Sequence, residues 1–122
     1  MTLPRLDSIA GWEVITIAMA KQYYFFKLLP PRPTFPGDIT EAEGRLMDEH
    51  FRYFQEHFAA GRLLLYGPVL APGAAFGLAV LEVEDEAAAQ RFGEGDPSVQ
   101  AGLNRFEFFP MRVAAARAKE PS

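Results

Sequence analysis

A chain of 122 residues and 13.6 kDa has room for one compact domain. Apolar residues make up 49% and aromatics 13%, with eleven Phe, which excludes a wholly disordered chain. Twelve basic against sixteen acidic residues give a net charge of −4, and Lys and Arg are scattered singly. That pattern argues against a nucleic-acid surface and against a polybasic membrane patch. The absence of Cys removes disulfides, thiolate nucleophiles and sulfur-bound zinc.

No stretch offers the ~20 consecutive apolar residues of a membrane span. The longest candidate, Ile9 to Ala20, is interrupted by Glu13. It reads either as a signal peptide closing on Ala18-Met19-Ala20, or as an extension upstream of a domain that begins near Met19. Within it, Trp12 to Ile17 is β-branched enough for an added strand or arm. The expected organisation is an N-terminal extension over 1–20, a domain over 21–113 and a C-terminal tail over 114–122, in a cytoplasmic protein.

Lys21 to Leu29 is an aromatic-rich strand stopped by Pro30-Pro31. Pro30, Pro31, Pro33 and Pro36 stiffen the loop to Gly37-Asp38. Thr40 and Glu43 then stand in capping-box spacing and predict a helix to about Ala60, with Gly61 as its stop. Arg62 to Tyr66 is a short strand ending at Gly67-Pro68, and Pro72-Gly73 marks a turn. Phe76 to Glu84 is the third strand. Asp85 caps a short helix to Phe92, which Gly93-Glu94-Gly95 should break. Asp96-Pro97 begins another turn of helix, and Arg105 to Val113 is the last strand.

The order strand, helix, strand, strand, helix, strand predicts an α+β, ferredoxin-like βαββαβ sandwich. Tyr23, Tyr24, Phe25 and Phe26 place aromatics on both faces of the sheet, as do Phe106, Phe108 and Phe109. Two small helices cover one face, so the other calls for a second copy of the same sheet, in a homodimer.

On the long helix, Leu46, Met47, Phe51, Phe54 and Phe58 form the expected buried stripe, and His50 falls inside it at ~100° per residue. His50 is either a core histidine satisfied by one hydrogen bond or a general acid or base, since its reference pKa lies near working pH. His57, two turns on, is ~10 Å away along the axis, too far to share a metal ion, and reads as a surface residue. No metal site is expected. Asp96 before Pro97 is a helix N-cap. A capping carboxylate is also a good partner for an imidazole N–H, fixing the ring's tautomer.

Met47-Asp48-Glu49-His50, Gly61-Arg62-Leu63-Leu64, Gly67-Pro68, Val83-Glu84-Asp85-Glu86-Ala87-Ala88-Ala89 and Asp96-Pro97-Ser98-Val99-Gln100-Ala101-Gly102-Leu103 follow in order. Over about residues 21–113 the chain resembles the YCII-related (YciI-like) family. The resemblance implies a ferredoxin-like dimeric α/β barrel and a catalytic His–Asp pair at His50 and Asp96. It also implies chemistry on ring-derived carboxylic acids or hydroquinones, by proton transfer or elimination, although most members have no assigned reaction.

Other chemistry finds little support. The only serines are Ser8, Ser98 and Ser122, without a nucleophile elbow, and Gly93-Glu94-Gly95 is no dinucleotide fingerprint. Pro33-Thr34-Phe35-Pro36 fits P-x-x-P but reads better as a rigid surface loop. Arg32 is the one cation placed to meet an anionic substrate, beside its alternative as a solvated side chain. The expected protein is a cofactor-independent lyase or isomerase, with His50 as proton shuttle, Asp96 as its partner and a small cyclic or aromatic acid as ligand. The alternatives are a non-catalytic small-molecule-binding or partner domain with a structural pair, and a haem-binding barrel with His50 as axial ligand.

Overall fold

In the computed structural model, which describes residues 21–117, the aromatic run after Lys21 forms β1 (Gln22–Leu29). Its side chains alternate: Tyr24, Phe26 and Leu28 are buried, while Tyr23, Phe25, Lys27 and Leu29 are half-exposed on the opposite face. Helix α1 (Glu41–Ala59) starts in a full capping box between Thr40 and Glu43. It ends in a Schellman turn, where Gly61 at φ 83° lets Arg62 N–H reach the His57 carbonyl and Gly61 N–H reach that of Phe58. The chain continues through β2 (Leu63–Val69), β3 (Phe76–Val83), α2 (Glu86–Gly95), the single turn α3 (Pro97–Gln100) and β4 (Arg105–Met111).

The sheet is antiparallel throughout, in the order β2-β3-β1-β4. That is the ferredoxin-like arrangement of a small α+β domain, with the helices on one face. Phe26 is fully buried at the centre of the core. Its ring stacks on Phe106 at 5.5 Å and meets Phe92 edge-on at 5.2 Å and Phe54 at 6.2 Å. Burial of one such ring is worth roughly 1.5–3 kcal/mol, so this cluster fixes how α1 and α2 sit on the sheet.

Four expectations are corrected. Strand β2 runs through Gly67-Pro68 to Val69, because an edge strand tolerates a proline whose missing N–H would face solvent. Helix α2 runs through Gly93-Glu94 to Gly95. Gly93 is a packing residue there, since a Cβ would collide with the Phe106 ring. The buried stripe of α1 is rotated from the expected one: His50 and Phe54 are buried, whereas Phe51 and Phe58 are 56% and 48% exposed. Phe58 meets Tyr66 of the edge strand β2 at 5.6 Å, and Phe51 lies beside the His50 ring at 5.2 Å. The Pro-rich loop is more than surface, because Phe35 is buried within it. The proposed arm at Trp12–Ile17, the rest of the extension and residues 118–122 lie outside the described residues.

Candidate functional site

Because α1 packs through His50 and Phe54, the His50 ring is pressed against aromatic neighbours, 4.4 Å from Phe54 and 5.2 Å from Phe51. Only 8% of its side chain is exposed. Its Nδ1 lies 2.8 Å from Asp96 Oδ2, with the carboxylate wholly buried. The pair inferred from sequence is thus brought together, across a separation of 46 residues.

Asp96 is held there by its capping role. It closes α2 and opens α3, with Pro97 at the first helical position. Its Oδ1 accepts from Ser98 N–H at 2.8 Å and from the Ser98 hydroxyl at 2.9 Å. One carboxylate oxygen is therefore saturated by the helix start, and the other is turned toward the imidazole. Helix α3 ends in a second Schellman turn: Gly102, at φ 80°, lets Leu103 N–H reach the Ser98 carbonyl. That reversal folds Asn104 back over Ser98, where its amide nitrogen donates to Ser98 Oγ at 2.9 Å and approaches Met47 Sδ at 3.4 Å. Asn104 and Ser98, both buried, carry no pattern visible in the sequence beyond Ser98 following the Asp-Pro cap.

The ring direction follows from the acceptor. A carboxylate only accepts, so in the neutral ring Nδ1 carries the hydrogen and Nε2 is bare. No other hydrogen bond to the ring is made among the described residues, and His50 lines a cavity of about 420 Å³. One ring nitrogen is thus tied to a buried carboxylate and the other left without a partner among the described residues, in the arrangement that general acid–base catalysis uses.

The cavity is walled by α1 through Met47, His50, Phe51 and Phe54, and floored by Phe26 and Leu28 of β1. The Pro-rich loop closes it with Pro30, Phe35, Pro36 and Ile39, and the β2–β3 hairpin with Tyr66, Gly67 and Phe76. A space of about 150 Å³ already accepts benzene, so this one holds a substituted ring. Among the described residues, its lining includes no lysine or arginine.

Arg32 is placed elsewhere. Its guanidinium grips Glu43 with bonds of 2.8 and 2.9 Å and Asp38 with two of 3.0 Å, and rests over Phe35. It fastens the loop to the start of α1 and does not line the cavity. The Arg32 hydrogen bond is the main cause that holds the Glu43 carboxyl down at about 2. His57, expected on the surface, is half-buried, 4.4 Å from Tyr53 and 5.0 Å from Phe92. Burial first, and then the nearby Arg62 charge, lowers its pKa. Burial and the Asp96 charge push the Tyr53 phenol up to about 12, so its hydroxyl stays a donor, at 2.8 Å from the Phe92 carbonyl. Among the described residues no cluster of three or more His, Asp or Glu could hold a metal ion, and no helix is long and apolar enough to cross a membrane.

Comparison with solved structures finds the same fold in the 5-chloro-2-hydroxyhydroquinone dehydrochlorinase TftG from Burkholderia phenoliruptrix AC1100, solved in complex with 2,5-dihydroxybenzoquinone. The two share 21% identity over 76% of this chain and 95% of that one, with a TM-score of 0.54. An uncharacterised protein from Thermotoga maritima matches at 16% identity over 75% of this chain and 99% of its own, with a TM-score of 0.43. No curated protein matches the chain. The model of the YCII-related domain matches residues 25–112, most of the chain and all of the site just described, and the chain belongs to that family.

Proposed function

We propose that the protein is a cofactor-independent lyase or isomerase that moves a proton on a small cyclic or aromatic compound bound in the cavity. The observation that carries this reading is the bare Nε2 of a buried histidine, backed by Asp96, at the wall of a ring-sized apolar space. His50 takes a proton from a ring C–H or O–H, and the electron pair stays on the ring. Asp96 stabilises the imidazolium that forms. The proton then returns at another ring position, or a leaving group departs with its electron pair and the proton passes to solvent. TftG acts as a dehydrochlorinase on a hydroxylated ring, which lends the elimination branch support. A small acid is the ligand expected from the sequence. With no lysine or arginine among the described lining residues and Arg32 spent on two carboxylates, a ring that enters uncharged suits the site better.

A second copy completes the proposed assembly. Among the described residues, the sheet face away from the helices carries Phe25, Phe109 and Met111 without a layer of helix over them. Two such faces packed together make the dimeric barrel that the resemblance implies.

The test is exchange of ring hydrogens in D2O, followed by NMR for a panel of cyclic and aromatic compounds. Exchange is expected for at least one, with a loss of about a hundredfold or more in His50→Ala. Exchange that survives in the variant overturns the reading. Rings that bind at His50 without exchange establish a small-molecule binder instead.

A further inference from the structure

Among the described residues, the polar lining of the cavity is sparse: His50, Asn104 and the partly exposed Tyr66. The way Asn104 is held decides which of its amide atoms is left for a ligand. Ser98 has one hydroxyl hydrogen, and the Asp96 carboxylate can only accept. The hydrogen is therefore committed to Asp96 Oδ1, 2.9 Å away. Ser98 Oγ can then only accept from its other neighbour, the Asn104 side chain at 2.9 Å. The amide must put its nitrogen there, since a flipped amide would set oxygen against an oxygen whose hydrogen is already used. The second N–H of that nitrogen faces Met47 Sδ at 3.4 Å. Both donors of the amide are engaged, and no donor among the described residues reaches its oxygen.

A carbonyl oxygen on a side chain only 2% exposed is costly to leave without a donor. Asn104 lines the cavity together with Met47 and His50, so the cavity is where that donor can come from. We infer that Asn104 selects the ligand: its amide oxygen accepts a hydrogen bond from a second donor on the ring that binds against His50. The relay Asn104–Ser98–Asp96–His50 thus leaves two acceptors without a donor among the described residues, Asn104 Oδ1 and His50 Nε2, on two side chains that line the cavity. A ring with one donor satisfies the base alone, and a ring with two satisfies both. This inference rests on the proposed binding of a ring beside His50.

The experiment compares the dihydroxybenzenes with the matching methoxyphenols, which keep the shape and lose one donor. Binding is followed through the His50 imidazole signals by NMR, in His57→Gln protein, since the chain has two histidines. At least one dihydroxybenzene should bind about tenfold tighter than its methoxy partner, the usual worth of one buried hydrogen bond. In Asn104→Leu that ratio should fall to about one. Equal binding of the two ligands overturns the role of Asn104 while leaving the ring beside His50, and this comparison needs no change at Asn104. A ratio that persists in Asn104→Leu overturns it as well. Rings that leave the His50 signals unmoved overturn this inference together with the proposed function.

Discussion

Replacing Asp96 by Asn keeps a side chain that can cap α3 but removes the acceptor-only partner of His50. With its oxygen held by Ser98, the new amide turns its NH2 toward Nδ1, which must then accept. The hydrogen of the neutral ring moves to Nε2, which is then no longer a base. The ring 15N shifts of His50 should therefore exchange between its two nitrogens, and any proton-transfer activity should fall by two orders of magnitude or more. An unchanged tautomer would show that Asp96 does not set the ring. Each half of this pair is legible in the sequence alone. Thr40 and Glu43 announce the helix that carries His50 on its apolar stripe, and Asp96-Pro97 announces a cap. Their meeting is not, because no period or cap relates positions 46 residues apart, and only the family resemblance joined them. Ser98 and Asn104 are less legible still, since their roles arise when Gly102 folds the chain back on itself.

Among the elements, α1 matters most, and the Arg32 clasp at its start gives it a particular dependence on acid. The Glu43 carboxyl is lowered from 4.5 to about 2, chiefly by its hydrogen bonds with Arg32 and then by the Thr40 N–H. A carboxyl depressed in the folded state contributes stability in full above its unfolded value, and that contribution is lost as the pH falls through the folded one. The melting temperature should therefore drop between pH 4.5 and about 2, and drop less in Glu43→Gln, where the capping box can persist without the charge. Parallel curves for the two proteins would place the acid sensitivity in other carboxylates. The capping box itself was plain from Thr40 and Glu43, and so was the strand order. The rotation of α1 was not, because periodicity weighs Phe51 and Phe58 as core residues without knowing that the sheet ends at β2, on which Phe58 rests. Nor was the course of α2 through Gly93, where contact with the Phe106 ring overrides the poor helix propensity of glycine.

At the scale of the whole molecule, the two faces of the sheet make opposite demands on substitution, and that contrast tests the second copy. Phe106 and Phe108 belong to the helix side: Phe106 stacks on Phe26, and Phe108 meets Tyr24 edge-on at 5.7 Å. An Asp at either position buries a charge in the core and should unfold the protein whatever its oligomeric state. Phe109 is on the other side, stacked on Phe25 at 6.4 Å, half-exposed in the single chain, with Met111 beside it on the same strand. In a monomer, Phe109→Glu is a surface change worth about 0.5 kcal/mol or less. In a dimer closed through this face, the same Glu is buried twice by symmetry, at about 3 kcal/mol or more, which weakens association by over a hundredfold. Sedimentation at micromolar concentration should thus give twice 13.6 kDa for the wild type and 13.6 kDa for a still-folded Phe109→Glu. A wild type that sediments as a stable monomer would remove the barrel from the proposal. The cavity would be untouched by that result, because its lining comes from the helix side of the sheet, the loop and the hairpin of one chain.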